Sequence, residues 1–119
     1  DDGERMAQGD AATFEAAIRS ATTAMREGRP PSRVLGSDAL ALLRKRTVWE
    51  GDVVAALDDH AERVRWTKEA LERERATSES PRLEAHLDWL NYLIGQFESG
   101  NWKTARMGMN ALRAVDGPR

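Results

Sequence analysis

The stretch HLDWLNYLIGQF, His86–Phe97, holds three of the chain's seven aromatic residues, and its reading decides the fold. Its apolar residues recur at three- and four-residue intervals rather than alternating, which is the period of a helix and not of a strand. At ~100° per residue, Leu83, His86, Leu87, Leu90, Leu93, Ile94 and Phe97 fall within a stripe about 120° wide. Most of the stretch is therefore an ordinary core-facing surface. Trp89 sits at the margin of the stripe, and Tyr92 lies across the helix among Ala85, Asp88 and Gln96. Ser80 is expected to cap this helix and Pro81 to take its first position, where a missing N–H costs nothing. Gly100 should end it near residue 99.

The same period extends outward in both directions. A first helix is expected over about 11–27, with Asp10 as N-cap and Gly28 as its stop. Its stripe is Phe14, Ala17, Ile18, Ala21, Ala24 and Met25. Pro30 and Pro31 prevent continuation, so 28–37 reads as a loop. A second helix, over about 38–48 with Ser37 as cap, has Leu40 and Leu43 on one side and Leu42 and Trp49 on the other. A short helix that is apolar all round is expected to be buried between others. The third and longest runs over about 52–76, with Val53, Leu57, Val64 and Leu71 as its stripe and His60 and Ala61 at the edges. Lys68 and Arg75 continue that line and are expected to snorkel. Trp66 lies about 180° from Leu57, on the opposite face. Residues 77–80 form the next turn. After Gly100, Asn101 can cap a last helix to about 115, presenting Trp102, Ala105, Met109 and Leu112, with Gly117 and Pro118 as its stop. Gly108 inside that helix costs about 1 kcal/mol against Ala, which close approach of a neighbouring helix would offset.

Prolines occur only at positions 30, 31, 81 and 118, and alternating β-branched runs are missing. The expected fold is therefore all-α: one domain over 1–119, a compact bundle of about five helices built from antiparallel hairpins, with 1–10 loosely ordered. A chain of 119 residues can bury roughly 65% of its unfolded surface, enough for a core without staples. Cysteine is absent, which excludes disulfides and thiolate chemistry. The net charge of −2 creates no global field toward nucleic acid. Only residues 28–50 are basic, with five cationic side chains against two anionic ones. No apolar run approaches the ~20 residues of a membrane span, so no membrane association and a cytoplasmic location are expected. Fifteen arginines against three lysines suggest a high-GC bacterial source.

Several chemistries find no support. Asp58, Asp59, His60 and Glu62 resemble a metal set, but on a helix they point in different directions apart from Asp58 and Glu62. The Glu-x-x-His pattern of carboxylate di-metal bundles fails, because Leu57 and Leu83 stand three residues before His60 and His86. With the turn centred near residue 79, His86 should lie beside Glu72 as a pH-sensitive pair, about 18 Å from His60. There is no nucleophile elbow and no phosphate-cradling glycine loop. No enzyme activity and no cofactor or metal are expected.

Two surfaces remain. The run Arg44-Lys45-Arg46, with Arg33, could touch phosphate. The following helix carries Asp58, Asp59, Glu62, Glu69 and Glu72, which oppose a DNA-reading role. The same turn arithmetic sets Trp66 opposite Tyr92, both off their core stripes, with Ala55 and Ala70 leaving room beside the indole. Either the first or second helix covers this pair, or it is exposed for a partner or a second copy. A protein-interaction module is thus the leading expectation, with Trp66, Tyr92, Trp89 and Arg73 as contact residues. A nucleic-acid-associated regulator using Arg33, Arg44, Lys45 and Arg46 is the alternative. A ligand-sensing bundle lined by Trp89 and Trp102 is a third.

Trp89, Gly100, Trp102, Ala105, Met109 and the Gly117-Pro118 break follow the order of one tetratricopeptide repeat. The segment Trp89–Pro118 resembles that family, with GNWKTA at Gly100–Ala105 as the best-matching piece and GDVVAA at Gly51–Ala56 as an echo. It departs at Leu93, Gln96 and Leu112, and the two echoes are 49 residues apart. The resemblance implies helix-hairpin packing and a role in binding proteins or peptides.

Overall fold

Six helices and no strand occur among residues 13–75, 78 and 80–116, which a computed structural model describes. They are α1 (Thr13–Arg26), α2 (Pro31–Val34), α3 (Ser37–Arg46), α4 (Val53–Arg73), α5 (Ser80–Glu98) and α6 (Trp102–Asp116). The all-α bundle is as expected, with one helix more. The expectations for residues 1–10, for Asp10 as a cap and for the Gly117-Pro118 stop lie outside the described residues.

The stripe of α1 is buried as read: Ala17, Ile18, Ala21, Ala24 and Met25 face inward, and Thr22 joins them. Its alanines keep the helix thin, so α1 packs against α2, α3, α4 and α5. Gly28 ends it. The N–H groups of Gly28 and Arg29 return to the carbonyls of Met25 (2.9 Å) and Ala24 (2.8 Å), with Gly28 at φ 79°. A Cβ at Gly28 would also lie 2.9 Å from the Cβ of Arg65, so both backbone and space demand glycine.

Pro31 does more than stop α1. It opens α2 inside the expected 28–37 loop, because a residue without an N–H is suited to the first helical turn. Ser37 is the first residue of α3 rather than its cap; Gly36 takes the cap position and no side chain bonds there. The helix ends at Arg46, two residues early. Nor is α3 buried all round: Leu43 is buried, Leu40 and Leu42 are half-buried, and Ala41, Arg44, Lys45 and Arg46 are exposed. It packs chiefly against α1 and α4, and its basic side meets solvent.

Asp52 caps α4, its carboxylate accepting the N–H of Val54 at 3.0 Å. Buried residues run from Arg63 and Ala56 through Thr67, His60, Val53, Val64 and Leu57 to Ala61 and Val54. That is an arc of about 180°, wider than the single stripe of the sequence, because α1, α2, α3 and α5 all press on this helix. Along its margin Lys68 reaches the carbonyl of Arg26 at the end of α1. Ser80 Oγ donates to the carbonyl of Glu74 and ties the start of α5 to the end of α4.

On α5, Leu90, Leu93, Ile94 and Phe97 are fully buried, which answers the reading of His86–Phe97. The N–H groups of Gly100 and Asn101 close the helix on Phe97 and Gln96. Then α6 folds back along α5 with Ala105 and Met109 inside. A Cβ on Gly108 would fall 2.4 Å from Cδ2 of Leu93, so the mid-helix glycine exists for this close approach.

The hairpin register differs from the turn arithmetic. That arithmetic sets His60 against Glu98. Instead His60 Nε2 donates to the carbonyl of Leu90 at 2.9 Å, and Glu98 pairs with Arg26 at 2.8 Å. Side-chain packing sets the offset between the helices, and the turn length does not fix it. His86, one turn or about 6 Å before Leu90, is thus nearer His60 than the expected 18 Å, and the two imidazoles interact electrostatically.

Candidate interaction surface

Trp89 and Tyr92 stand three residues apart on α5 and therefore side by side. Their rings stack at 5.2 Å with an interplanar angle of 19°. The residues remain 44% and 48% exposed, so the stack is not covered by α1 or α3. Leu93 and Gly108 meet across the α5–α6 seam. For two antiparallel helices, the residue preceding each contact falls on the same side of the seam. Tyr92 and Met107 are those residues, and Met107 is 55% exposed. One face of the hairpin thus carries two flat aromatic rings and a pliable thioether, the side chains that suit contact with another protein.

Trp66 does not share that openness. It is half-buried on α4, and Arg63 and Thr67 on the adjoining side of the helix are buried. The shifted register explains why the expected pairing of Trp66 with Tyr92 gives way to the Trp89–Tyr92 stack. Arg73 is exposed at the last position of α4.

The basic run is exposed but already engaged. Arg44 Nε donates to Asp52 at 3.1 Å, and the Arg46 guanidinium lies 5.4 Å from the centre of the Phe14 ring. The Arg44 hydrogen bond holds the Asp52 carboxyl below its ordinary range, and the Val54 N–H adds to the effect. Arg33 is exposed on α2, where Ser32 N–H meets Asp58 at 3.0 Å. Lys45 is exposed between its two neighbours.

Sequence reasoning missed an aromatic cluster at the other end of α5. Phe14 meets Trp102 edge-on at 6.0 Å, and Trp49 meets Phe97 edge-on at 5.8 Å. The Trp102 indole N–H donates to the Phe97 carbonyl at 3.1 Å, within the end of the helix. Two clefts flank Trp102 and Gly100. One, of 540 Å³, is lined by Trp49, Glu50, Lys103 and Arg106; the other, of 490 Å³, by Phe14, Glu15, Arg19 and Glu98. Trp89 lines neither of these two clefts, which are built on Trp102. The available signal was Trp49, which sits off the Leu40–Leu43 side of its segment.

His60 is wholly inside rather than at a core edge. Burial pushes its pKa from 6.5 down to about 4, and Arg63 and His86 also oppose the charged form. Its Nε2 carries the proton given to Leu90, which leaves the buried Nδ1 without a hydrogen-bond partner. Among the described residues no three His, Asp or Glu side chains gather as a metal site, and no helix is long and apolar enough to cross a membrane.

Comparison with protein-family models, curated proteins and solved structures gives no match. The functional reading therefore rests on the geometry of the chain itself.

Proposed function

We propose that this chain is a non-catalytic helical interaction module that binds a protein partner, a second copy included, through the α5–α6 face carrying Trp89, Tyr92 and Met107. The observation that carries the reading is the exposed Trp89–Tyr92 stack. Stacking fixes both rings in advance, so little side-chain entropy is lost when a partner covers them. The resemblance of Trp89–Pro118 to a tetratricopeptide repeat agrees with a binding role. Light scattering across a concentration series, with affinity capture from source cells, tests it. A dimer or a captured protein present with wild type and lost with Trp89→Ala/Tyr92→Ala is the expected result. A monomer whose captured proteins are the same for both chains overturns it.

The nucleic-acid reading uses Arg33, Arg44, Lys45 and Arg46. Arg44 and Arg46 already serve Asp52 and Phe14, which weakens it. A salt-sensitive shift of duplex DNA that disappears on neutralising the run would restore it.

A further inference from the structure

The 540 Å³ cleft between the α3–α4 connection and the start of α6 has the features of a second site. Its volume lies within the ~300–1,000 Å³ usual for ligand pockets. Trp49 and Trp102 form its walls, and both indoles are clamped. Trp49 abuts Phe97, while Trp102 is fixed by Phe14 and by its hydrogen bond to the Phe97 carbonyl. Val48 stands at the mouth, 76% exposed. By helical rise the cleft at Gly100 is roughly 16 Å along α5 from Trp89, so it is distinct from the stacked face.

Its charges are unbalanced. Lys103 and Arg106 face one carboxylate, Glu50. The neighbouring cleft has no such excess, with Glu15 and Glu98 against Arg19 and the Arg26 that pairs with Glu98. Arg106 is three-quarters buried, its side chain 25% exposed, whereas Glu50 is 86% exposed. Their contact is 3.4 Å, long beside the ~2.7–2.9 Å of a well-made charged hydrogen bond. A largely buried arginine side chain thus meets a carboxylate that remains mostly in water. An incoming carboxylate held over the indoles would displace Glu50 and bond Arg106 more fully.

We infer that this cleft binds an acidic peptide segment, with a carboxylate on Arg106 and Lys103 and a neighbouring apolar side chain between Trp49 and Trp102. A peptide fits better than nucleic acid because the walls are apolar and Glu50 at the mouth repels successive phosphates.

Panning a random peptide library against the full chain tests this, followed by titration of the enriched peptides on intrinsic Trp fluorescence. Enriched sequences should pair Asp, Glu or a free C-terminus with an aromatic residue or Leu. Affinity should fall about tenfold or more with Arg106→Gln, since a charge-assisted bond is lost. Lys103→Glu, at an exposed position, should weaken binding in the same direction without threatening the fold. Glu50→Gln should tighten it. Trp89→Ala/Tyr92→Ala should leave it unchanged, which separates this site from the stacked face. Failure to enrich any peptide, enrichment without acids, or equal affinity for Arg106→Gln, Lys103→Glu and wild type overturns the assignment. So does complete competition by inorganic phosphate or by duplex DNA.

Discussion

His60 shows what one side chain costs and gives. Folded, its imidazole protonates only near 4; unfolded, it protonates near 6.5. Between those values the unfolded chain holds more protons, so stability is complete above about 6.5 and is lost as the pH falls toward 4. The full loss is about 3 kcal/mol. Urea unfolding of wild type at neutral pH and near pH 4.5 should show most of this difference, and His60→Gln should show a smaller one. Equal slopes for the two proteins would remove His60 as the cause. Gly108 is the second informative residue. Propensity alone makes Gly108→Ala stabilising by about 1 kcal/mol. The 2.4 Å approach of Leu93, itself fully buried, reverses the sign. Thermal melts should show a net loss of up to about 2 kcal/mol, the ~1–3 kcal/mol of overpacking less the propensity gain. The sequence already marked Gly108 as paid for by close packing; it did not name Leu93, because the partner depends on the α5–α6 register.

At the scale of elements, punctuation was legible and pairing was not. Gly28, Gly100 and Pro31 act through φ or a missing N–H, which are local properties, and Gly28 and Gly100 stop their helices where expected. The second role of Pro31, opening α2, escaped a reading in which the prolines only terminate. Ser37 was expected to cap α3, but the cap that matters is Asp52, which joins α4 to Arg44 of α3. Asp52→Ala should cost about 1 kcal/mol, the usual value of an N-cap, read as a lowered unfolding midpoint. Because the folded carboxyl titrates below its ordinary range, this contribution is present above about pH 4 and fades below it. An unchanged midpoint would show that the N-terminus of α4 is satisfied by water. The expectation that α3 is buried all round failed because Ala39, Leu40 and Leu43 pack one side on the core, which leaves the basic residues in solvent.

For the whole molecule, interior and surface aromatics should behave oppositely. Phe97 is fully buried beneath Trp49, so Phe97→Ala should cost about 3–5 kcal/mol, a large share of the ~5–15 kcal/mol of a typical domain. Trp89→Ala/Tyr92→Ala removes half-exposed rings and a stack worth about 1 kcal/mol, and should shift the melting curve only slightly while abolishing partner binding. A comparable loss of stability in both variants would place the stack within the core. The sequence by itself determined the all-α class, the major helices and the inward faces of α1, α5 and α6, because period and helix-stopping residues act within a few positions of the chain. It also singled out Trp89 and Tyr92 as rings at or beyond the edge of a stripe. Tertiary structure alone decided that His60 lies beside Leu90, that Trp66 is half-covered, and that Trp49 and Trp102 wall one cleft. Each of those depends on how one helix slides and rolls against another, and side-chain packing over distant positions sets that offset.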